Sequence, residues 1–91
     1  MTLRFGPQTI VPGATGFGPQ QVMIRGPCTV EWEETGGTNA TLLIQDYDAP
    51  LPNIPITANT ASQQDFDAIL NFQITGNGSI VLLTIYAEDD R

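Results

Sequence analysis

The fold is decided by residues 66–87, which read FDAILNFQITGNGSIVLLTIYA. Apolar and polar side chains alternate on both sides of Asn77-Gly78, the type of dipeptide that most strongly favours a two-residue β-hairpin turn. Such a turn sets these residues opposite each other: Ile74 and Val81, Phe72 and Leu83, Leu70 and Ile85, and Ala68 and Ala87. All of these pairs are apolar, so the stretch predicts a β-hairpin that buries one face.

The same alternation with a period of two continues through residues 21–88 and is typical of half-buried β-strands. The predicted strands are Gln21–Arg25, Cys28–Glu34, Thr38–Tyr47, Asp65–Ile74 and Ser79–Glu88, with shorter ones at Leu3–Phe5, Thr9–Val11 and Ile54–Thr57. No window shows the spacing of an amphipathic helix, so we expect helix in less than about a tenth of the chain. Many short strands in 91 residues predict an all-β protein, a small antiparallel β-sandwich or barrel.

A second hairpin is predicted at Gly36-Gly37. A two-residue turn there would set Trp32 opposite Thr41, whereas a loop of three or five residues sets it opposite an apolar residue. We therefore predict the odd loop, with a bulge. The predicted core consists of the inward-facing residues Val30, Trp32, Leu42, Ile44, Phe66, Leu70, Phe72, Leu83 and Ile85.

Residues 1–20 are rich in glycine and proline and contain the tetrapeptide Phe-Gly-Pro-Gln twice, at Phe5–Gln8 and Phe17–Gln20. Proline holds the preceding residue extended and cannot donate to a β-ladder. The chain is therefore predicted to consist of an extended N-terminal arm, residues 1–20, and a β-sandwich domain, residues 21–91. Any strand within the arm, with Gln8–Val11 the candidate, is expected at a sheet edge.

Not one lysine or histidine occurs in the chain, and its basic residues are Arg4, Arg25 and Arg91. Histidine is the usual acid–base catalyst and metal ligand, while lysine is a common nucleophile and phosphate-binding residue. The formal net charge of −7 also repels nucleic acid and anionic membranes. We therefore expect a protein that is not an enzyme, takes no cofactor and binds neither nucleic acid nor membrane.

The one cysteine, Cys28, excludes an internal disulfide and falls on the inward side of its strand, where a buried thiol is expected. The N-terminal segment Met1–Pro7 lacks the charged and apolar regions of a secretion signal. No apolar run has the length needed to cross a bilayer. We expect a cytoplasmic protein or, if the protein is viral, a virion component.

Carboxylates occur in close pairs, at Glu31/Glu33, Asp46/Asp48, Asp65/Asp67 and Asp89/Asp90. Residues i and i+2 on a strand share a face, so two such pairs at one end of a sandwich could bind Ca²⁺. The spacing lacks the Asp-x-Asp-x-Asp-Gly pattern of a calcium loop, so we expect solvated, metal-free pairs. The alternative is a carbohydrate- or ligand-binding module that binds Ca²⁺ through Asp46/Asp48 and Asp65/Asp67.

Two sets of apolar residues are candidates for contact with another chain. The first consists of the arm residues Phe5 and Phe17, unless the repeat merely forms two similar turns. The second lies on the face of the predicted last hairpin that turns away from the core, where polar residues are normal. Either the arm of the same chain or another subunit covers this face. The predicted partner interface is therefore Phe5, Phe17, Ile69, Ile80, Leu82 and Tyr86.

The Gly/Pro arm with its two Phe-Gly-Pro-Gln copies, the acidic strand-rich body and the lack of catalytic residues resemble the small β-sandwich proteins of tailed-phage virions. The likeness is to head-decoration, or cement, proteins, and it covers the whole chain without a diagnostic motif. It implies a homo-oligomer, often a trimer, that clamps capsid subunits together with residues 1–20. A phage tail, neck or fibre component and the ligand-binding module stay open as alternatives.

Overall fold

The structure, a computed structural model, describes residues 1–88, which form β-strands joined by short loops. The strands are β1 (Thr2–Ile10), β2 (Phe17–Ile24), β3 (Cys28–Glu34), β4 (Ala40–Gln45), β5 (Ile54–Ile56), β6 (Ala61–Phe66), β7 (Ile69–Thr75) and β8 (Val81–Ala87). No helix occurs in this part of the chain. The bounds of β3 agree with the prediction, and those of β2, β4, β5 and β8 differ by a few residues.

The strands form two antiparallel four-stranded sheets that pack as a β-sandwich. The first sheet has the order β1-β8-β3-β6, and the second has the order β2-β7-β4-β5. Side chains from both sheets form one buried core. The prediction of an all-β protein, in the form of an antiparallel sandwich, is therefore confirmed.

Neither predicted hairpin exists, because most consecutive strands lie in opposite sheets. β3 pairs with β6 and β8, whereas β4 pairs with β5 and β7. Gly36-Gly37 and Asn77-Gly78 therefore belong to connections that cross between the sheets. Phe72 and Leu83, predicted to pair within a hairpin, are buried in the same core from opposite sheets. Two inward faces that pack across a core are both apolar, and so are the inward faces of two strands paired in a hairpin. The alternation of apolar residues therefore did not distinguish packing between sheets from pairing within a hairpin.

Two further segments differ from the predicted strands. The predicted strand Asp65–Ile74 is divided at Asp67-Ala68 into β6 and β7, which belong to different sheets. The pieces predicted at Leu3–Phe5 and Thr9–Val11 are parts of the single strand β1. β1 lies at the edge of the first sheet, as expected for a strand that contains proline.

The core agrees with the prediction except at the start of β7. Every predicted core residue apart from Leu70, which is half-buried, belongs to the buried cluster. Ile69 was predicted on the outer face but is fully buried in that cluster. Ile69 and Phe72 both face inward although they are three positions apart, so the alternation breaks here. The break lies opposite a register shift of β2 between Gln21 and Ile24.

The segment predicted as an arm is paired within the sandwich. It contains β1 and the beginning of β2, which hydrogen-bond to β8 and β7 respectively. The two Phe-Gly-Pro-Gln copies occupy matching places, since the register shifts between Phe5 and Gln8 in β1 and between Phe17 and Gln20 in β2. Both Gly-Pro peptide bonds are cis. The repeat is thus one bulge motif used once in each sheet.

The glycine of each copy lies close to the backbone of the neighbouring strand. Gly6 and Gly18 have φ of 75° and 97°, a region that residues with a Cβ rarely adopt. A Cβ on Gly18 would lie 2.8 Å from the carbonyl oxygen of Phe72, and one on Gly6 would overlap the carbonyl oxygen of Leu83. Because the obstacle in both cases is backbone, a side chain at either position forces the edge strand away from its partner.

Replacing Gly18 by alanine is therefore expected to destabilise the protein by about 1–3 kcal/mol, since the substitution adds both backbone strain and a steric clash. The matched control is Gly13→Ala, because a Cβ on Gly13 meets no atom within 4 Å. The control should change the stability by less than about 0.5 kcal/mol. Urea unfolding of the parent and both variants measures the difference. Equal stabilities of the two variants would contradict the role given to Gly18.

Candidate partner interface on the outer face of the first sheet

The outward side chains of β8 form an apolar row. Alternate residues of β8, beginning with Val81, are buried in the core, so Leu82, Thr84 and Tyr86 have the parity of the outer face, although Thr84 is itself buried there and Tyr86 is half-buried. Ile80, which precedes the strand, has the same parity. Ile80 is 37% exposed and Leu82 is 38% exposed. A sandwich face in contact with water normally carries polar residues here, so the row is a candidate contact surface.

The neighbouring edge strand extends this row. Leu3 of β1 is paired with Tyr86, and Thr9 is paired with Leu82. Leu3 is 48% exposed. We define the outer patch as Leu3, Ile80, Leu82 and Tyr86. Leu3 was absent from the predicted interface because nothing in the local pattern indicates that β1 pairs with β8.

Carboxylates border the outer patch on its other side, where β3 pairs with β8. Glu33 lies opposite Leu82, and Glu31 lies opposite Thr84. These residues and Gln63 of β6 line a shallow cavity of about 380 Å³. The face therefore combines an apolar row with an acidic border, and a complementary surface would present apolar side chains beside basic ones.

The arginines of the described residues make their contacts elsewhere. Arg4 donates a hydrogen bond of 3.5 Å from Nη2 to the carbonyl oxygen of Val22. The guanidinium of Arg25 lies 4.0 Å from the ring centroid of Tyr47, a cation–π contact. Arg91 lies outside the described residues. Within residues 1–88, neither arginine therefore neutralises the carboxylates of the acidic border.

Phe5 and Phe17, predicted as anchors on a neighbouring chain, contact the core of their own chain. Phe5 meets the ring of Phe72 edge-on, with centroids 5.2 Å apart, and Phe17 stacks on the same ring at 6.0 Å. Both side chains are half-buried. The two bulges bring them from the edge strands over Phe72. Of the predicted interface, Ile80, Leu82 and Tyr86 share one surface, whereas Ile69 belongs to the core and Phe5 and Phe17 pack against it.

The aspartates considered for Ca²⁺ are only partly brought together. Asp46, Asp65 and Asp67 line a cavity of about 350 Å³ with Glu88, but Asp48 does not. Asp65 accepts a hydrogen bond of 2.7 Å from the Thr29 hydroxyl. Residues 1–88 contain no group of three or more histidine, cysteine, aspartate or glutamate side chains arranged to hold a metal ion. The pair Asp89/Asp90 lies outside the described residues.

The thiol of Cys28 borders the same cavity. It is 1% exposed and lies 3.7 Å from the carbonyl oxygen of Phe66. Burial, together with the nearby carboxylates of Asp46, Asp65 and Asp67, raises the pKa of the thiol to about 11. The protonated thiol that results at neutral pH is a poor nucleophile.

A buried carboxylate that the sequence analysis did not single out joins three loops beside the outer patch. Glu34, the last residue of β3, is 1% exposed. Its two oxygens accept hydrogen bonds, each of 2.9 Å, from the amides of Gly36, Gly37, Asn59 and Ile80 and from the hydroxyl of Ser79. A sequence signal for this role did exist, because Glu34 has the inward parity of Val30 and Trp32.

These hydrogen bonds determine the charge state of Glu34. Burial opposes ionisation, but the amides of Ile80 and Asn59, the Ser79 hydroxyl and the Gly36 amide stabilise the anion. Together they lower the pKa of Glu34 from 4.5 to about 2. Because the Ile80 amide is one of the donors, the anion also positions the residue at which the outer patch begins.

Comparisons with protein families, with curated proteins and with solved structures found no match to this chain. The described residues contain no helix that could cross a membrane.

Proposed function

We propose that this protein is a non-enzymatic assembly protein that attaches to a larger protein particle through the outer patch. The observation that carries the proposal is the outer patch, in which Leu3, Ile80 and Leu82 are exposed, together with its acidic border. Removing an apolar row from water in an interface lowers the free energy of the complex, whereas the same row contributes no hydrophobic stabilisation while it is exposed to solvent. The lack of lysine and histidine and the protonated state of the Cys28 thiol further support binding rather than catalysis.

The charge distribution supports a particle as the partner more than a second copy of the chain. Two copies that meet through this face would bring their acidic borders together, and each chain has a net charge of −7. A partner with apolar side chains and a basic rim matches the face in both respects. By its resemblance to head-decoration proteins, we propose that the particle is a tailed-phage capsid. A tail, neck or fibre is the alternative within the same class.

The proposal predicts that Leu82→Asp weakens binding to the particle. Complete burial of a leucine contributes roughly 1.5–3 kcal/mol, and Leu82, which is 38% exposed, has only part of its surface left to bury. A carboxylate in its place would also have to lose its hydration in an apolar contact, so the affinity should fall about 10-fold or more. The measurement is co-sedimentation of the purified protein with undecorated phage capsids over a range of protein concentrations. Sedimentation without capsids shows whether the protein associates with itself.

The matched control is Val11→Asp, because Val11 is also aliphatic, is 64% exposed and lies outside the outer patch. It introduces the same charge and should leave the affinity within about twofold of the parent. If Leu82→Asp and Val11→Asp bind capsids equally well, the outer patch is not the attachment surface. Failure of the parent protein to sediment with capsids, tails or fibres would contradict the proposed function itself.

A further inference from the structure

The two sheets have four edge strands, and three of them are interrupted. β1 and β2 contain Pro7 and Pro19, and the register of each shifts twice along its partner. β5 has three residues, with Pro55 in the middle. Proline has no N–H to donate, and bulges break the regular row of backbone groups, so these edges are protected against the addition of a further strand.

The fourth edge, β6, is uninterrupted. Its six residues include neither proline nor glycine. It pairs with β3 residue by residue, from Cys28 opposite Phe66 to Glu33 opposite Ala61, without a register shift. Its residues from Ala61 to Asp65 are all exposed. A regular, exposed edge of this length is a template for an added strand.

The pairing with β3 shows which backbone groups of β6 are free to bind an added strand. The Glu34 amide donates to the carbonyl oxygen of Thr60, which makes this pair a hydrogen-bonded one. Hydrogen-bonded and non-hydrogen-bonded pairs alternate along an antiparallel ladder. Ala61, Gln63 and Asp65 therefore direct their N–H and C=O groups away from β3, toward the open edge.

The surroundings of this edge differ on its two sides. On the core side, Gln64 and Phe66 of β6 and Leu51, Ile54 and Pro55 near the edge of the second sheet line a groove of about 370 Å³. This groove suits apolar side chains.

On the outer side, Asp65 lies on β6 itself, and Glu31 and Glu33 lie on the adjacent strand β3. Successive side chains of an added strand would point alternately into the groove and toward these carboxylates.

We infer that β6 is a strand-addition site for an extended segment of a partner protein in which apolar and basic residues alternate. The apolar side chains occupy the groove beside Ile54 and Phe66, and the basic ones lie near the carboxylates of the outer side. A second copy of β6 fits this chemistry poorly, because its residues include no basic side chain. The inference does not depend on the apolar residues of the outer patch, although it shares the carboxylates of Glu31 and Glu33 with the acidic border.

The test uses the capped peptide acetyl-Thr-Val-Arg-Val-Arg-Val-Thr-amide and the ¹⁵N-labelled protein. In the complex, the amides of Ala61, Gln63 and Asp65 should become protected from hydrogen exchange, because they gain acceptors from the peptide. The amides of Ser62 and Gln64, which already bond to β3, should change little. A peptide with glutamate in place of arginine should bind at least about tenfold more weakly, and salt should weaken the arginine peptide.

The decisive variant is Gln63→Pro, which removes an N–H that faces the open edge while leaving the ladder to β3 complete. It should weaken peptide binding roughly tenfold or more, whereas the matched variant Gln63→Ala, which retains the N–H, should remain within about twofold. Leu3→Ser, a change in the outer patch, should not affect peptide binding.

The hydrogen-exchange measurement on the parent protein tests the inference even if Gln63→Pro does not fold. Lack of protection at Ala61, Gln63 and Asp65 under millimolar peptide would overturn it. So would equal binding of the arginine and glutamate peptides. A parent protein that dimerises in solution, with the dimer abolished by Gln63→Pro, would also overturn it by assigning the edge to a second copy.

Discussion

Replacing Glu34 by glutamine is expected to lower the melting temperature by roughly 10 °C or more, although the two side chains have the same shape. The carboxylate accepts hydrogen bonds from five donors in three loops. A glutamine accepts through one oxygen only and turns an NH₂ group toward the remaining N–H and O–H groups. Ser79, one of those donors, is fully buried and has no alternative contact with solvent.

The matched control is Glu33→Gln, which makes the same chemical change at an exposed neighbour. Its melting temperature should stay within about 2 °C of the parent, as is usual for surface substitutions. Differential scanning calorimetry at pH 7 measures both variants. A Glu34→Gln protein that melts together with the Glu33→Gln protein would show that the hydrogen-bonded anion contributes little to stability.

The same pair of proteins should show a defined pH dependence. The pKa of Glu34 is lowered on folding from 4.5 to about 2, so the folded state favours the anion more than the unfolded state does. The stability that this anion contributes is complete above the unfolded pKa and is lost as the pH falls through the folded one. The difference in melting temperature between parent and Glu34→Gln should therefore be constant at neutral pH and shrink between about pH 4.5 and pH 2. A difference that is unchanged at pH 2 would contradict the lowered pKa.

The alternation of apolar residues predicted which side chains are buried but not which strands are paired. Phe72 and Leu83 were correctly assigned to the core, yet they were placed in one hairpin when they lie in opposite sheets. A period of two specifies the face of a strand, and two inward faces match whether they lie side by side or across a core. Strand order depends on connections between sheets, which a local pattern does not encode.

The sequence reasoning missed β6 and Glu34, whose side chains do not follow the alternation of apolar and polar residues. β6 begins Ala-Ser-Gln-Gln-Asp, which contains no apolar alternation because most of its side chains are exposed at an edge. Glu34 occupies an inward position, where a charge is unexpected unless loops distant in the sequence supply donors. Asn59 and Ser79, which supply two of them, lie 25 and 45 residues away. Such partners become visible only when the chain is folded.

Only part of the candidate interface was placed correctly from the sequence, because local alternation shows the face of a residue but not the partner of its strand. Ile80 and Leu82 are exposed, as their outward parity indicated, while their role in binding stays a prediction. The phenylalanines of the repeat were assigned to a partner because a proline-rich segment was taken as an arm rather than as two bulged edge strands. The structural role of the repeat is to form these bulges, each of which directs one phenylalanine, Phe5 or Phe17, onto Phe72.

Replacing Phe72 by alanine is accordingly expected to have the largest effect on stability of any single core substitution in the second sheet. Phe72 is fully buried at the centre of β7 and contacts both ring systems of the repeat. Truncating a buried phenylalanine costs about 3–5 kcal/mol, which is comparable to the whole stability of many small domains. Phe72→Leu, which preserves most of the volume, should cost less than about 1.5–2 kcal/mol and keeps the measurement possible if the alanine variant does not fold. Urea unfolding gives both values.

The three-ring cluster also makes a prediction that distinguishes it from independent core positions. Edge-to-face and stacked aromatic pairs contribute about 0.5–1.5 kcal/mol beyond the area that they bury. Phe5→Leu should therefore destabilise the parent protein by more than it destabilises the Phe72→Leu variant, and the same holds for Phe17→Leu. The difference is the coupling energy of the double-mutant cycle, expected at about 0.5–1.5 kcal/mol for each pair. Strictly additive losses would show that the rings of the repeat do not interact with Phe72. Unchanged stability of Phe5→Leu and Phe17→Leu, combined with weaker binding to capsids, would instead restore the phenylalanines to the partner interface.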